Sequence, residues 1–108
     1  MQGIFTILCQ ETENNYLGRS RHAKKALEKT IALLEANKHF SKDLQQEWNE
    51  YGREAFEAGC PYLFENEEWD AGEELDLVVE EWMDILENVE YLGAIDEESG
   101  ERLDDTGK

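Results

Sequence analysis

Charge is segregated along this chain, and the second half must fold with almost no basic side chains to pair with its acidic ones. Residues 1–53 carry eight basic and seven acidic side chains, a net charge of +1. Residues 54–108 carry two basic and twenty acidic side chains, a net charge of −18. A salt-adapted protein would be acidic over its whole surface, whereas this chain concentrates its acids in one half. The pattern therefore indicates a directed negative face.

The length and composition predict one small domain covering residues 1–108. Apolar residues make up 40% of the 108 positions, which is enough for one modest core. No apolar run approaches the roughly 20 residues of a membrane helix, and the first residues lack the basic start of a secretory signal. Cys9 and Cys60 form no disulfide framework. We therefore expect a soluble, cytoplasmic protein with two reduced thiols.

The first segment predicts a strand or hairpin within residues 1–18. The run Gly3–Cys9 is short, apolar and rich in β-branched and aromatic side chains, which favours a buried strand over a helix. Residues 11–15 are typical of a turn, and Tyr16–Gly18 can return as a second strand.

Two amphipathic helices are predicted next, over about residues 21–38 and 42–58. Ser20 and Ser41 are suitable N-caps, because a serine hydroxyl accepts a hydrogen bond from the first helical turn. Apolar residues recur at intervals of three and four in both segments, so each helix has one apolar stripe. Gly59 and Pro61 are expected to end the second helix and prevent its continuation.

A third helix is predicted over about residues 71–91, where Asp70 and Glu73 form a variant of the capping box. The predicted fold class is α+β but mainly α: a short N-terminal strand or hairpin, a three-helix core over residues 20–93, and a polar acidic tail or small hairpin over residues 94–108. The expected core residues are Ile4, Ile7, Leu27, Ile31, Leu34, Leu44, Trp48, Phe56, Leu75, Val79, Trp82, Leu86 and Val89.

Sequence motifs give no indication of catalysis. The patterns HExxH, paired CxxC, GxSxG, GxGxxG and the phosphate-binding loop are absent. His22 and His39 lie near opposite ends of one predicted helix, too far apart to share a metal ion from that helix alone. Cys9 is expected to be a buried strand residue and not a nucleophile. We therefore expect no enzymatic activity, no metal and no cofactor.

The third helix separates an apolar stripe centred on Trp82 from an acidic stripe on its opposite side, at 100° per residue. No Lys or Arg lies between Arg53 and Arg102, so the helix forgoes i,i+4 ion pairs. Such pairs would stabilise it by about 0.2–0.5 kcal/mol each. Leu77 falls among the acids and should be exposed. A helix that accepts this self-repulsion is typical of a surface for a basic partner.

The predicted partner-binding residues lie on this acidic stripe or flank it. They are Glu73, Asp76, Leu77, Glu80, Glu81, Asp84 and Glu87, with Asp70, Asp96, Glu97 and Glu98 as auxiliaries.

In size, charge and its acid-rich region Glu65–Asp105, the chain resembles the small acidic DNA-mimic inhibitors of phages and mobile elements, the anti-restriction and anti-CRISPR proteins. The resemblance implies stoichiometric inhibition in the host cytoplasm. Carboxylates would replace phosphates in the basic DNA- or RNA-binding cleft of a host defence nuclease complex. Direct contact with nucleic acid or with an anionic membrane is not expected, because both are negative like the chain.

Two alternatives are left open at this point. One is a protein–protein adaptor, or an antitoxin- or chaperone-like module, that neutralises a basic protein. The other is a housekeeping domain whose acids only confer solubility. The basic residues from Arg19 to Lys29 depart from a purely acidic mimic and leave room for a second contact, for instance with the negative half of another copy in a homodimer.

Overall fold

Two helical layers enclose a four-stranded sheet in this protein, whose computed structural model describes residues 2–64 and 72–102, with the side chains at positions 64 and 72–75 outside that description. The elements in chain order are β1 (Gln2–Cys9), β2 (Asn14–Ser20), α1 (Ala23–Glu35), α2 (Lys42–Tyr51), a single 3-10 turn (Arg53–Ala55), β3 (Phe56–Phe64), α3 (Gly72–Ile85) and β4 (Val89–Ala94). In the described part of the chain, no helix is both long and apolar enough to cross a bilayer.

The sheet is mixed, with the strand order β3-β1-β2-β4. β1 pairs antiparallel with both β2 and β3, and β4 lies parallel to β2. The expected mainly α fold, with a short N-terminal strand or hairpin and an acidic tail or small hairpin, is therefore wrong. β1 and β2 form the centre of the sheet, and two further strands flank them. Local apolar patterns do not reveal pairing between strands that are far apart in the sequence.

β1 takes part in two cores, because successive side chains of a strand point to opposite faces of the sheet. Phe5 and Ile7 belong to the core shared with α1 and α2, and Ile4 belongs to the core shared with α3. All three side chains are fully buried.

Gly18 allows the ring of Phe5 to lie directly against β2. The two residues are opposite each other in the β1–β2 register. A Cβ atom on Gly18 would stand 2.5 Å from Cζ of Phe5, well inside van der Waals contact. Glycine at this position therefore permits a close approach that any other residue would prevent.

The helix caps match the sequence prediction at α2 but not at α1. The hydroxyl of Ser41 caps α2 by accepting a hydrogen bond from the Leu44 N–H at 3.3 Å, as predicted. The N-cap position of α1 is His22, and it makes no side-chain cap. The hydroxyl of Ser20 instead accepts from the backbone N–H of His22 at 3.1 Å.

β3 occupies much of the segment predicted as the end of the second helix. α2 ends at Tyr51 because Gly52 adopts a φ of 84°, and the 3-10 turn then leads into the strand. Gly59 and Pro61, expected to terminate a helix, lie inside β3. Proline is tolerated there because β3 is an edge strand, and the β1–β3 register shifts beside it.

α3 covers the face of the sheet opposite α1 and α2. Val78 and Val79 are buried, and they pack with Ile4 of β1 and Leu17 of β2. The acidic α3 and the basic start of α1 therefore lie on opposite sides of the sheet.

α3 also ends earlier than the predicted residue 91. Its last helical residue is Ile85, and Asn88 adopts a φ of 52°, which turns the chain into β4. Val89 continues the apolar period of the predicted helix but belongs to the strand. The predicted capping box falls on Asp70 and the side chain of Glu73, which lie outside the described residues.

The segment after β4 packs against the rest of the protein. Ile95 is fully buried and forms an isolated antiparallel bridge with Arg102. Nε of Arg102 donates to the Leu92 carbonyl at 2.7 Å, and its guanidinium lies 5.0 Å from the centroid of the Phe40 ring. Residues 95–102 are thus attached to the core.

The predicted core is confirmed wherever the structure describes its residues. Buried are Ile4, Ile7, Leu27, Leu34, Leu44, Trp48 and Val79, and of these Ile4, Ile7, Leu34 and Leu44 are fully so. Ile31, Phe56, Trp82, Leu86 and Val89 pack against the two cores from partly buried positions. The side chain of Leu75 lies outside the description. The prediction omitted the buried strand residues Phe5, Tyr16, Leu17 and Leu92, and Ile95 after β4.

We expect Gly18→Ala to lower the free energy of unfolding by about 1–3 kcal/mol, because the new methyl group overpacks the Phe5 ring. Gly59→Ala is the matched control in another strand, since a Cβ atom there meets nothing within 4 Å. Its effect should stay within about 0.5 kcal/mol. Urea unfolding monitored by Trp fluorescence measures both, and equal losses would contradict the close-approach argument.

Candidate functional site

The start of α1 concentrates positive charge at a helix end that is itself positive. Lys24 and Lys25 are exposed in the first turn, and Arg21 is exposed just before it. The first turn has no acidic residue, and His22 provides no side-chain cap. Cations at this end destabilise a helix, whereas a bound anion can accept from the unpaired N–H groups. The arrangement is therefore unfavourable for the helix alone and favourable for an anionic ligand.

A cavity of about 560 Å³ opens beside this cationic helix end. Gly3 of β1 pairs with Ser20 on one side and with Leu63 on the other, so β3 brings Leu63 close to the point where β2 leads into α1. The residues that line the cavity are His22, Lys24, Lys25, Glu28 and Leu63. We call this set the α1 pocket.

Arg19 does not contribute free charge to the α1 pocket. Its guanidinium forms an ion pair with Asp76 of α3, and its side chain is only 20% exposed. This ion pair connects β2 to α3. It also engages Asp76, one of the acids predicted to bind a partner.

The acids predicted to bind a partner do not form one continuous helical stripe. Asp76, Glu80 and Asp84 lie at intervals of four along α3 and are exposed, as are Leu77 and Glu81. Their partner-binding role stays a prediction.

The other acids of that set are not among the described side chains of α3. Glu87 is exposed in the turn between α3 and β4. Asp96 accepts hydrogen bonds from the Glu98 N–H at 3.2 Å and from the Ser99 hydroxyl at 3.0 Å, so the run 96–98 forms a turn. Asp70 and the side chain of Glu73 are not among the described groups.

A second cavity, of about 430 Å³, lies between α2 and the β2–β4 pair. We call it the acidic cleft. Four carboxylates line it, together with two tyrosines and several amides: Asp43, Glu47, Glu50, Glu90, Tyr16, Tyr51, Asn14, Asn15, Gln46 and Asn88, with Thr12 and Val89.

Glu47 is the most strongly bonded carboxylate of the acidic cleft. It accepts from Nδ2 of Asn14 at 2.6 Å and from the hydroxyl of Thr12 at 3.3 Å. Burial, and then the nearby charge and hydrogen bond of Glu47, raise the pKa of Tyr16 far above its ordinary value. Tyr16 is therefore a neutral phenol that ties α2 to β2, and it is not suited to act as a base.

His39 is buried on the α2 side of the molecule and serves a structural role. Its Nδ1 accepts from the Ser41 N–H at 3.0 Å, and its own N–H donates to Oε1 of Gln45 at 3.0 Å. Burial lowers the pKa of His39 to about 4. The ring is therefore neutral at pH 7.

We expect the protein to lose stability as the pH falls from about 6.5 to 4, because the unfolded chain then binds a proton at His39 that the native chain does not. The contribution at pH 4 is on the order of 3 kcal/mol. In His39→Asn, Oδ1 can still accept from Ser41 but does not titrate. Urea unfolding at pH 7 and pH 4 measures the free energy of unfolding, which should fall less in this variant than in the wild-type protein. An equal fall in both proteins would contradict the prediction.

No group of three or more His, Cys, Asp or Glu side chains in ranges 2–64 and 72–102 is placed to hold a metal ion. The chemistry that the described side chains support best is anion binding in the α1 pocket. There, Lys24, Lys25 and His22 line one cavity at the N-terminus of a helix. Glu28 also lines it, so the cations outnumber the single carboxylate.

The basic residues of α1 are evident in the sequence, but the larger acidic half was predicted to be the principal site. The acidic cleft was not predicted. A signal for the cleft was present, since Asp43, Glu47 and Glu50 are spaced by four and three and so share one face of α2. Leu63 could not be assigned to a site, because its segment was interpreted as a connection.

No protein-family model matches the sequence, and no curated protein matches it. Two solved structures share the fold. The catalytic domain of homing endonuclease I-TevI is 22% identical, with a TM-score of 0.66, over 80% of this chain and 88% of that one. A point variant of the catalytic domain of intron endonuclease I-TevI is 21% identical, with a TM-score of 0.62, over 79% of this chain and 82% of that one.

These likenesses overturn the functional interpretation of the sequence. The resemblance to DNA-mimic inhibitors is wrong, because the solved structures that share the fold are of an endonuclease catalytic domain. The same finding contradicts four further expectations. They are an anti-restriction or anti-CRISPR inhibitor, an adaptor or antitoxin-like module, the absence of enzymatic activity and the absence of direct contact with nucleic acid. Net charge describes solubility and long-range attraction, and it does not specify a fold.

Proposed function

We propose that this chain is an endonuclease-type domain that binds nucleic acid through the α1 pocket. The observation that carries the proposal is the cationic first turn of α1, where exposed Lys24 and Lys25 flank a cavity at an uncapped helix end. Phosphate groups suit such a site, because helix N–H groups and lysine ammonium groups both donate to their oxygens. The shared fold with an endonuclease catalytic domain supports nucleic acid as the source of the phosphate.

The sheet makes this proposal compatible with a net charge of −17. α1 lies on one face of the sheet, and the acidic α3 lies on the other. Charges interact weakly beyond about 10 Å in 0.1 M salt. A phosphate in the α1 pocket therefore responds mainly to the groups of the pocket itself. There the two lysines and the helix end outweigh the single carboxylate of Glu28.

His22 is the proposed proton-transfer residue of the α1 pocket. It lines the cavity beside Lys24 and Lys25, and histidine is the side chain that most often transfers protons in enzymes. Hydrolysis of a phosphodiester adds water to phosphorus and breaks one P–O bond to the sugar. The water loses a proton, and the leaving oxygen gains one, so a residue that exchanges protons is required near the phosphate.

We expect Lys24→Glu combined with Lys25→Glu to weaken binding to a duplex DNA oligonucleotide at least about tenfold, because two phosphate contacts become repulsive. Lys38→Glu with Lys42→Glu is the matched control, since both lysines are exposed and make the same change in net charge. Fluorescence anisotropy at several salt concentrations measures the affinity and its salt dependence. Equal weakening by both pairs would mean that only net charge matters.

We expect His22→Ala to slow the nicking of supercoiled plasmid by about a hundredfold while its DNA affinity changes little. His39→Asn should leave nicking near the wild-type rate, because His39 lies outside the α1 pocket. Gel assays with and without magnesium chloride measure the rate. Absence of nicking by the wild-type protein under both conditions would overturn the proposal that the chain is an endonuclease. The proposal that it binds nucleic acid is tested separately by the lysine variants.

A further inference from the structure

α3 presents two parallel rows of side chains to solvent. Residues four apart form rows along a helix surface, and two helices pack by fitting the rows of one into the grooves of the other. One row consists of the acids Asp76, Glu80 and Asp84, and the adjacent row consists of Leu77, Glu81 and Ile85. All six are exposed. We call these six residues the α3 face.

The α3 face exposes more apolar surface than a free helix requires. Leu77 is 59% exposed and Ile85 is 68% exposed, the highest values among the large apolar residues that the structure describes. They lie two turns apart in one row, about 12 Å along the axis at 1.5 Å per residue. The buried side of α3 is already satisfied by Val78 and Val79, so these two residues are not required by the core.

The charge of the α3 face specifies what could cover it. Glu80, Glu81 and Asp84 have no ion-pair partner within the described residues, and only Asp76 is paired, with Arg19. An approaching anionic or neutral surface would have to desolvate these carboxylates without compensation. A surface carrying Lys or Arg between apolar side chains would complement both rows.

We propose that the α3 face docks a cationic amphipathic helix of another protein. The apolar side chains of that helix lie against Leu77 and Ile85. Its Lys or Arg side chains pair with Glu80, Glu81 and Asp84. This interaction goes beyond the nucleic-acid site, because the α3 face and the α1 pocket are on opposite sides of the sheet.

The test uses the full chain and three synthetic 18-residue peptides. The first has leucine at helical intervals of three and four and lysine elsewhere. The second replaces each leucine by serine and keeps the charge. The third replaces each lysine by glutamate and keeps the apolar side. Binding is measured by calorimetry and located by NMR chemical-shift changes in the ¹⁵N-labelled protein.

The proposal expects the first peptide to bind at least about tenfold more tightly than either of the others, with shift changes concentrated at residues 76–85. Leu77→Ser with Ile85→Ser should weaken that binding at least about tenfold, since each removes an apolar contact. Glu81→Lys with Asp84→Lys should do the same, whereas the matched reversal Glu54→Lys with Glu57→Lys should not. All six positions are exposed, so none of these variants should lower the melting temperature.

Three results would overturn the proposal. Equal binding of the leucine and serine peptides would mean attraction by charge alone. Shift changes centred on the acidic cleft would place the peptide at Asp43, Glu47 and Glu50. A dimer of the wild-type protein that Leu77→Ser converts to a monomer, measured by sedimentation, would identify the occupant as a second copy. None of these results bears on DNA binding by Lys24 and Lys25, so the two proposals fail separately.

Discussion

The alternation of side chains along β1 is the constraint on which the rest of the structure depends. Ile4 belongs to one core and Phe5 and Ile7 to the other, so a single strand organises a helical layer on each face of the sheet. The same alternation keeps the positive start of α1 apart from the negative α3. A chain with this net charge can therefore hold a local cationic pocket that its composition conceals.

Local signals predicted the elements whose ends depend on nearby residues. The start of α2 follows from the Ser41 hydroxyl, and the apolar stripe of α3 follows from its helical spacing. The end of α3 was not predictable in the same way. The chain turns away after Ile85, and the Asn88 carbonyl then accepts from the Asn15 N–H at 2.8 Å, a contact with a distant strand. Val89, the first residue of β4, also fits the helical spacing of the apolar residues. The sequence pattern therefore did not indicate that the helix had ended.

The candidate site was harder to predict than the fold for a related reason. The total charge of the second half is the strongest signal in the sequence, whereas the α1 pocket depends on the placement of two lysines at a helix end beside Leu63. That placement requires β3 to pair with β1, and the segment of β3 contains a glycine and a proline that favour a turn. Local sequence therefore supplied the lysines but not the geometry around them.

The parallel pairing of β2 with β4 has a consequence for how the chain acquires this structure. Between these strands lie α1, α2, β3 and α3, so the pairing closes a very long loop. Contacts of this kind form slowly and late. During synthesis, the hairpin of β1 and β2 emerges first. The edge of β2 that pairs with β4 stays unpaired until β4 has left the ribosome. Nascent chains paused before that point should therefore be the form most prone to aggregate.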